Sequence, residues 1–172
     1  MTLYITSGPS GSGKTTYYNN HYKNTKLICP DDIREEVNGD INSQDNASKV
    51  WNTAYKRMTK ALKQRLDVYF CATFCTKKEI KLCLDQVEQI KLETKINIVI
   101  LRFKDGNNLS LLTKRVEEDL GNKVNRSNTL SLNTKGETII EHQYKNFIKM
   151  DWKKVLELQK YYKNITINIR DI

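Results

Sequence analysis

One motif near the start of the sequence constrains the fold of this chain more than any other feature. Residues 8–15 read GPSGSGKT and match the pattern G-x-x-x-x-G-K-[ST] at every defined position. A predicted strand from Thr2 to Ser7 comes directly before the motif, and a predicted helix from Gly13 to about Lys23 follows it. A strand, a glycine-rich loop and a helix in this order form the context in which the motif binds phosphate.

The residue types of the motif explain how it would hold a nucleotide. Glycines let the backbone turn so that successive N–H groups point at the β-phosphate, where the positive end of the following helix adds its field. Lys14 then supplies a cation to the β- and γ-phosphates, and the Thr15 hydroxyl is the predicted Mg²⁺ ligand. The predicted nucleotide-binding residues of the loop are Gly8, Ser10, Gly11, Ser12, Gly13, Lys14, Thr15 and Thr16. The expected cofactors are therefore Mg²⁺ and ATP or another NTP.

The rest of the chain alternates predicted strands with predicted helices. The further strands are predicted at 26–29, 68–72, 96–103 and 165–169. Helices are predicted at 33–37, 43–66, 76–92, 109–120, 137–147 and 152–162. This alternation favours parallel strands joined by right-handed crossovers. We therefore expect one domain over residues 1–172, a three-layer α/β sandwich of about five parallel strands flanked by helices, with its site at the carboxyl ends of the strands.

Two capping patterns set the expected starts of helices. Pro30 should end the second strand because proline cannot donate to a ladder, and Asp31 then stands where an N-cap is expected. Thr76 followed by Glu79 has the spacing of a capping box. Both helix starts therefore fall just after predicted strands, at the edge where we expect the site.

The composition of the chain bears on its expected partners and location. It holds 29 Lys and Arg against 20 Asp and Glu, a formal charge of +9. This excess favours polyanionic partners, although Lys and Asn are abundant throughout and a general bias of composition accounts for it equally well. No run approaches the about 18 apolar residues of a membrane span, and the first residues lack the pattern of a signal peptide. We expect reduced thiols, a cytoplasmic protein and no membrane partner.

The phosphate loop alone does not distinguish kinases from GTPases, ATPases and motor domains. Two polar residues after the second predicted strand favour a kinase. Asp31 and Arg34 begin a helix at the carboxyl edge of the sheet, near the expected γ-phosphate. A carboxylate there can orient an acceptor hydroxyl and receive its proton. An arginine one turn later can hold an acceptor phosphate or the developing charge. A helix cap followed by a solvated charged helix explains the same pattern equally well.

A family resemblance favours the catalytic interpretation. Three segments, 8–16, the Pro-Asp-Asp-Ile-Arg of 30–34, and Ala72-Thr73 with Lys-Lys-Glu at 77–79, resemble the phage-type polynucleotide 5′-hydroxyl kinases and related small P-loop kinases. The resemblance covers most of the chain in the order of elements and about twenty positions in identity. It implies a P-loop kinase fold, with Asp31 as general base toward a DNA or RNA 5′-hydroxyl and Arg34 on an acceptor phosphate. It also implies that Thr73 lines the acceptor site, and it leaves a homo-oligomer open.

The chain departs from that family at two positions. Cys71 stands where relatives have an aspartate, and Phe74 where they have an asparagine. A thiol does not replace a carboxylate beside a magnesium-bound water at neutral pH. Phe74 is a candidate substrate-binding residue that would stack on a base, or else a core residue at a strand end.

A polar stretch supplies the expected lid. Kinases of this kind close an arginine-bearing segment over the phosphates to exclude water. The stretch 121–135 occupies the family's lid position, and Arg115 and Arg126 frame it. Both are predicted nucleotide-binding arginines, and Arg126 is also a catalytic candidate.

Three functions agree with these features. The first is a polynucleotide 5′-kinase, which also accounts for the basic charge. The second is a small-molecule kinase acting on a nucleoside, nucleotide or sugar. The third is a module that binds NTP without efficient transfer, for which Cys71 is the motive.

Overall fold

A sheet of five parallel strands organises the computed structural model, which describes residues 1–91, 93–124 and 126–172. The strand order is β2-β3-β1-β4-β5, and every pairing is parallel. The strands are β1 (Thr2–Ser7), β2 (Lys26–Ile28), β3 (Val68–Phe70), β4 (Ile96–Arg102) and β5 (Ile165–Asp171). The helices are α1 (Lys14–His21), α2 (Pro30–Asn38), α3 (Ala47–Lys63), α4 (Lys77–Glu88), α5 (Leu109–Gly121), α6 (Ile139–Ile148) and α7 (Trp152–Leu156). The predicted α/β sheet of five parallel strands is confirmed.

Apolar residues on both faces of the sheet explain its helix layers. On one face Leu3 and Ile5 of β1 are fully buried in the main core, together with apolar side chains of α3, α4 and α7. On the other face Tyr69 and Leu101 are fully buried, and Tyr18 of α1 packs against the Tyr69 ring. Burial of both faces is what a parallel sheet requires.

The longest of these helices, α3, has 17 residues and shows one buried stripe. Its inward side chains, Val50, Ala54, Met58, Ala61 and Leu62, follow the helical repeat. Within the described ranges no helix is long and apolar enough to cross a lipid bilayer.

The helix starts differ in one respect from prediction. Helix α2 begins at Pro30 with Cys29 in the N-cap position, so the prediction of Asp31 as N-cap is wrong. Proline fits the first helical turn because its fixed φ suits the helix and its missing N–H needs no partner. The capping box of Thr76 and Glu79 is confirmed at the start of α4.

Some predicted helix ends also move. Helix α3 begins at Ala47 rather than at residue 43. Helix α4 ends at Glu88, and its predicted end at residue 92 lies outside the described residues. The predicted helix 152–162 is α7 followed by a 3₁₀ segment, Glu157–Tyr161.

The loops that follow β1 and β3 are joined at the carboxyl edge of the sheet. The N–H of Gly8 donates to the carbonyl of Thr73 over 2.9 Å, and the Ser7 hydroxyl donates to the carbonyl of Phe74 over 2.7 Å. The 3₁₀ turn Lys104–Asn107 after β4 packs between Pro9 and α6. These contacts bring together the segments that carry the predicted site.

Candidate active site

The loop between β1 and α1 depends on glycine at two positions. Gly13 and Gly11 have φ angles of 89° and 78°, in the left-handed region that side chains disfavour. A Cβ on Gly11 would also lie 2.7 Å from the carbonyl oxygen of Leu112 in α5. The loop therefore keeps the tight, side-chain-free turn that a phosphate cradle needs, and α5 closes one side of it.

Lys14 is held at the mouth of this loop. Its Nζ donates to the carbonyls of Gly8 and Pro9 over 2.8 and 2.6 Å and to the Ser12 hydroxyl over 3.3 Å. The Tyr69 hydroxyl donates to the Lys14 carbonyl over 3.0 Å and anchors its backbone. Burial lowers the pKa of Lys14 because it disfavours the charged form of the amine. The negative charge of a bound phosphate would favour that form.

Thr15, the predicted Mg²⁺ ligand, lies beside a pair of thiols. Its hydroxyl is 3.7 Å from Sγ of Cys71, the residue after β3. Cys29 occupies the matching position after β2, because the N–H of Cys71 donates to the carbonyl of Ile28. Contact with Cys29 lowers the pKa of Cys71, and the nearby charge of Lys14 acts in the same direction.

The donor set agrees with magnesium held mainly by nucleotide oxygens. Mg²⁺ prefers oxygen ligands and keeps several waters when phosphates share in binding it. Among the described residues no group of three or more His, Cys, Asp or Glu side chains could hold a metal ion by itself. Thr15 would therefore supply the hydroxyl ligand, and Cys71 would face the ion's outer shell, where a carboxylate normally orients bound water.

Restoring that carboxylate is expected to strengthen magnesium binding. In Cys71→Asp the new carboxylate would lie beside the Thr15 hydroxyl. The nearby charge of Lys14 would reduce the free-energy cost of burying that carboxylate. We expect the Mg²⁺ concentration at half-maximal transfer to fall about tenfold, the usual scale of such outer-shell effects. The measurement is a magnesium titration of the transfer rate, with Cys71→Ser as the uncharged control. Identical titrations for the two variants would contradict a role of this position in metal binding.

Asp31 and Arg34, the residues predicted to act on the acceptor, lie together at the start of α2. They form an ion pair within the first turns of α2. Arg34 is 15% exposed, whereas Asp31 is 47% exposed and accessible to an acceptor. Asp31 also raises the pKa of Lys14, although burial of Lys14 outweighs this effect. The predicted base is therefore an electrostatic neighbour of the phosphate loop.

Thr73 and Phe74, predicted to bind substrate, have different surroundings. Thr73 is half-buried, and its carbonyl is hydrogen-bonded to Gly8 of the phosphate loop. Phe74 is only 1% exposed and packs edge-on against Phe70 at 5.1 Å and against Trp51 at 6.1 Å. No face of the Phe74 ring is open to a base, so its predicted stacking role conflicts with the structure.

The two predicted lid arginines approach the phosphate loop differently. Arg115 of α5 donates to the Gly11 carbonyl over 3.2 Å and to Asp105 over 2.9 Å. Arg126 pairs with Asp119, and its charge contributes to the lowered pKa of Lys14. Within the described part of the chain, the buried Nε of Arg126 has no acceptor. A nucleotide phosphate oxygen is the kind of partner that such a buried cationic donor requires.

The segment that follows Arg126 reaches Arg34 and the loop after α2. The Ser127 hydroxyl donates to the carbonyl of Ile41 and accepts from Arg34, over 3.4 and 3.3 Å. The N–H of Asn128 donates to the Asn42 side chain over 2.7 Å. The predicted lid therefore touches the loop between α2 and α3. One residue of this stretch, at position 125, lies outside the described residues.

Sequence reasoning missed Gln143. The side-chain oxygen of Gln143, on α6, accepts a 2.9 Å hydrogen bond from the N–H of Ser10 in the phosphate loop. A glutamine on an amphipathic helix 133 residues further along the chain carries no signal of such a contact.

Comparisons with known proteins bear on the fold and the family. The profile of a protein family described as an AAA domain matches residues 3–129. A candidate kinase from Chloroflexus aurantiacus superposes with a TM-score of 0.58 at 13% identity, covering 78% of this chain and 71% of that one. A structure from the PezAT toxin–antitoxin system of Streptococcus pneumoniae gives 0.50 at 14% identity, covering 98% of this chain and 68% of the other.

These matches differ in what they show. At such identities the two solved structures show the fold alone. A search of curated proteins finds no match to the sequence. The family match spans more than half of the 172 residues and includes the phosphate loop, Asp31, Arg34 and Arg126. The chain therefore belongs to this AAA-domain family and has its P-loop kinase-like fold.

Proposed function

We propose that the protein is a polynucleotide 5′-kinase, which transfers the γ-phosphate of ATP, or another NTP, to the 5′-hydroxyl end of a DNA or RNA strand. The observation that carries the proposal is the position of Asp31. This carboxylate is half-exposed, paired with Arg34, and close enough to Lys14 to affect its pKa. Transfer to a hydroxyl requires a phosphate-binding loop with an accessible carboxylate nearby, and this observation supports the proposal.

Each residue then has one task in the transfer. Bound Mg·ATP supplies the γ-phosphate and part of the neutralising charge. Asp31 takes the proton of the 5′-hydroxyl while the hydroxyl oxygen forms a bond to the γ-phosphorus. The bond between the γ-phosphorus and the β,γ-bridging oxygen breaks, and ADP leaves. Lys14 and Arg126 neutralise the charge that develops on the phosphate oxygens. Arg34 pairs with Asp31 and would contact an acceptor phosphate.

Two other functions are outcomes of the same test. A small-molecule kinase would use these residues in the same way but gives no account of the charge of +9. A module that binds NTP without efficient transfer is favoured by one observation, the thiol of Cys71 beside Thr15. A cytoplasmic location, where ATP is available, and a homo-oligomer are further proposals.

A panel of acceptors tests the proposal. Labelled γ-phosphate is offered from Mg·ATP to 5′-hydroxyl DNA and RNA oligonucleotides, a 3′-mononucleotide, nucleosides and simple sugars. We expect label on the oligonucleotides. Label on a small acceptor alone would replace the proposal by the small-molecule kinase. Intact ATP binding without label on any acceptor would replace it by the binding module.

A further inference from the structure

The outer face of α3 carries an aligned row of lysines. The helix reads ASKVWNTAYKRMTKALK and contains five basic residues and no acidic one. At about 100° per residue, four of its lysines fall within a sector of roughly 60° on the side opposite the buried stripe. They are exposed, and we call them the α3 lysine stripe: Lys49, Lys56, Lys60 and Lys63.

Among the described residues, the α3 lysine stripe forms no ion pairs. Lys56 and Lys60 are four residues apart and Lys60 and Lys63 are three apart, spacings at which like charges destabilise a helix. The ion pairs of the described residues include none of these four lysines, while the fifth cation of the helix, Arg57, pairs with Glu36 of α2. In contrast, α4 and α5 each combine acidic with basic residues. An anionic partner would turn this unfavourable alignment into a binding surface.

The stripe begins beside the acceptor side of the site. Helix α3 follows the loop that contains Ile41 and Asn42, which contact Arg34 and the lid segment. Trp51, in the first turns of α3, packs against Phe74 at the carboxyl edge of the sheet. Since α3 lies between two parallel strands in the chain, it runs back toward the start of β3. The row of lysines therefore leads from the acceptor side along the outer surface.

We propose that the α3 lysine stripe binds the phosphodiester backbone of the acceptor strand, beyond its 5′ end. This inference rests on the proposed function and makes a polymeric strand, rather than a mononucleotide, the preferred acceptor. From Lys49 to Lys63 the helix rises about 21 Å, the length of about six phosphates along one strand of a duplex. Lysines contact phosphates as point charges, so the binding is independent of base sequence.

A matched pair of triple variants tests the proposal. Lys56, Lys60 and Lys63 are changed to Gln in the first variant, because Gln keeps helix propensity. The control variant changes three exposed lysines outside α3, Lys95, Lys153 and Lys163, to Gln, which removes the same charge. Fluorescence anisotropy measures binding of a 12-nucleotide strand that already carries a 5′-phosphate, so the result does not depend on phosphate transfer. Transfer to a 12-mer and to a dinucleotide is measured in parallel.

The stripe variant is expected to bind the 12-mer at least about tenfold more weakly than the control variant. The slope of log affinity against log salt should fall by about 2, because each lost single-strand phosphate contact contributes about 0.7. Transfer to the dinucleotide should be unchanged. Three results would each overturn the proposal. The first is an equal loss of binding in the two variants, and the second is equal binding of the 12-mer and the dinucleotide by the unmodified protein. The third is stripe-dependent binding to anionic vesicles but not to the 12-mer. Loss of transfer with strand binding intact would instead count against the kinase assignment.

Discussion

Replacing Lys14 by Ala is expected to lower γ-phosphate transfer on the order of 10³-fold, the scale for losing a preorganised charge in a site. The Lys14 side chain donates hydrogen bonds to three groups of the phosphate loop and is the predicted cation for the β- and γ-phosphates. No other lysine of the loop can replace it. The measurement is the steady-state transfer rate, with nucleotide affinity determined separately by calorimetry.

The control for this variant is Lys23→Ala, an exposed lysine just beyond α1. It should transfer at the unmodified rate, and circular dichroism should show that both variants are folded. Transfer by Lys14→Ala above a tenth of the unmodified rate would mean that the loop does not use Lys14 in the reaction.

Replacing Asp31 is expected to separate nucleotide binding from turnover. Asp31 lies on α2 rather than in the phosphate loop, so ATP affinity should stay within a few-fold in Asp31→Ala and Asp31→Asn. Transfer should fall about 10²–10⁴-fold, the usual contribution of a general base. The Asn side chain can still accept the hydrogen bond of Arg34. A lower transfer rate in Asp31→Asn therefore reports on the missing carboxylate rather than on a displaced arginine.

The neighbouring Asp32 provides the matched control. Asp32→Ala removes the same charge from the same helix turn, one residue away, and its side chain lies beside Cys29. We expect this variant to retain most of its activity. Near-normal transfer by Asp31→Asn, or an equal loss in Asp32→Ala, would show that Asp31 is not the base.

The sheet and the phosphate loop were predictable because their signals are local. A continuous apolar run such as 68–72 predicts a strand buried on both faces, and alternation with helices makes the strands parallel. The loop pattern of residues 8–15 predicts its own backbone, since Gly11 and Gly13 adopt the positive φ angles that it requires. The edge of the sheet that holds Asp31 and Arg34 follows from the same topology.

Other parts of the site depend on contacts that no local pattern encodes. Gln143 reaches Ser10 only because α6 packs beside the phosphate loop. Ser127 meets Arg34 across 93 residues of sequence. Phe74 was open to two interpretations, and the turn after β3, with a φ of 36° at this residue, directs its ring into the core.

The α3 lysine stripe was only partly predictable from the sequence. Its four lysines follow from helical periodicity alone, but their position beside the acceptor side depends on contacts between α3 and the loop after β3. Net charge did not distinguish such a surface from a general bias of composition.

The most direct test of the central claim is to locate the transferred phosphate. The protein is incubated with Mg·ATP labelled at the γ-phosphate and with two copies of one oligonucleotide, one ending in a 5′-hydroxyl and the other in a 5′-phosphate. Each product is digested to mononucleotides. The proposed function predicts label only on the first oligonucleotide, recovered as the 5′-monophosphate of its terminal residue. Label released as inorganic phosphate, or equal label on both oligonucleotides, would contradict it.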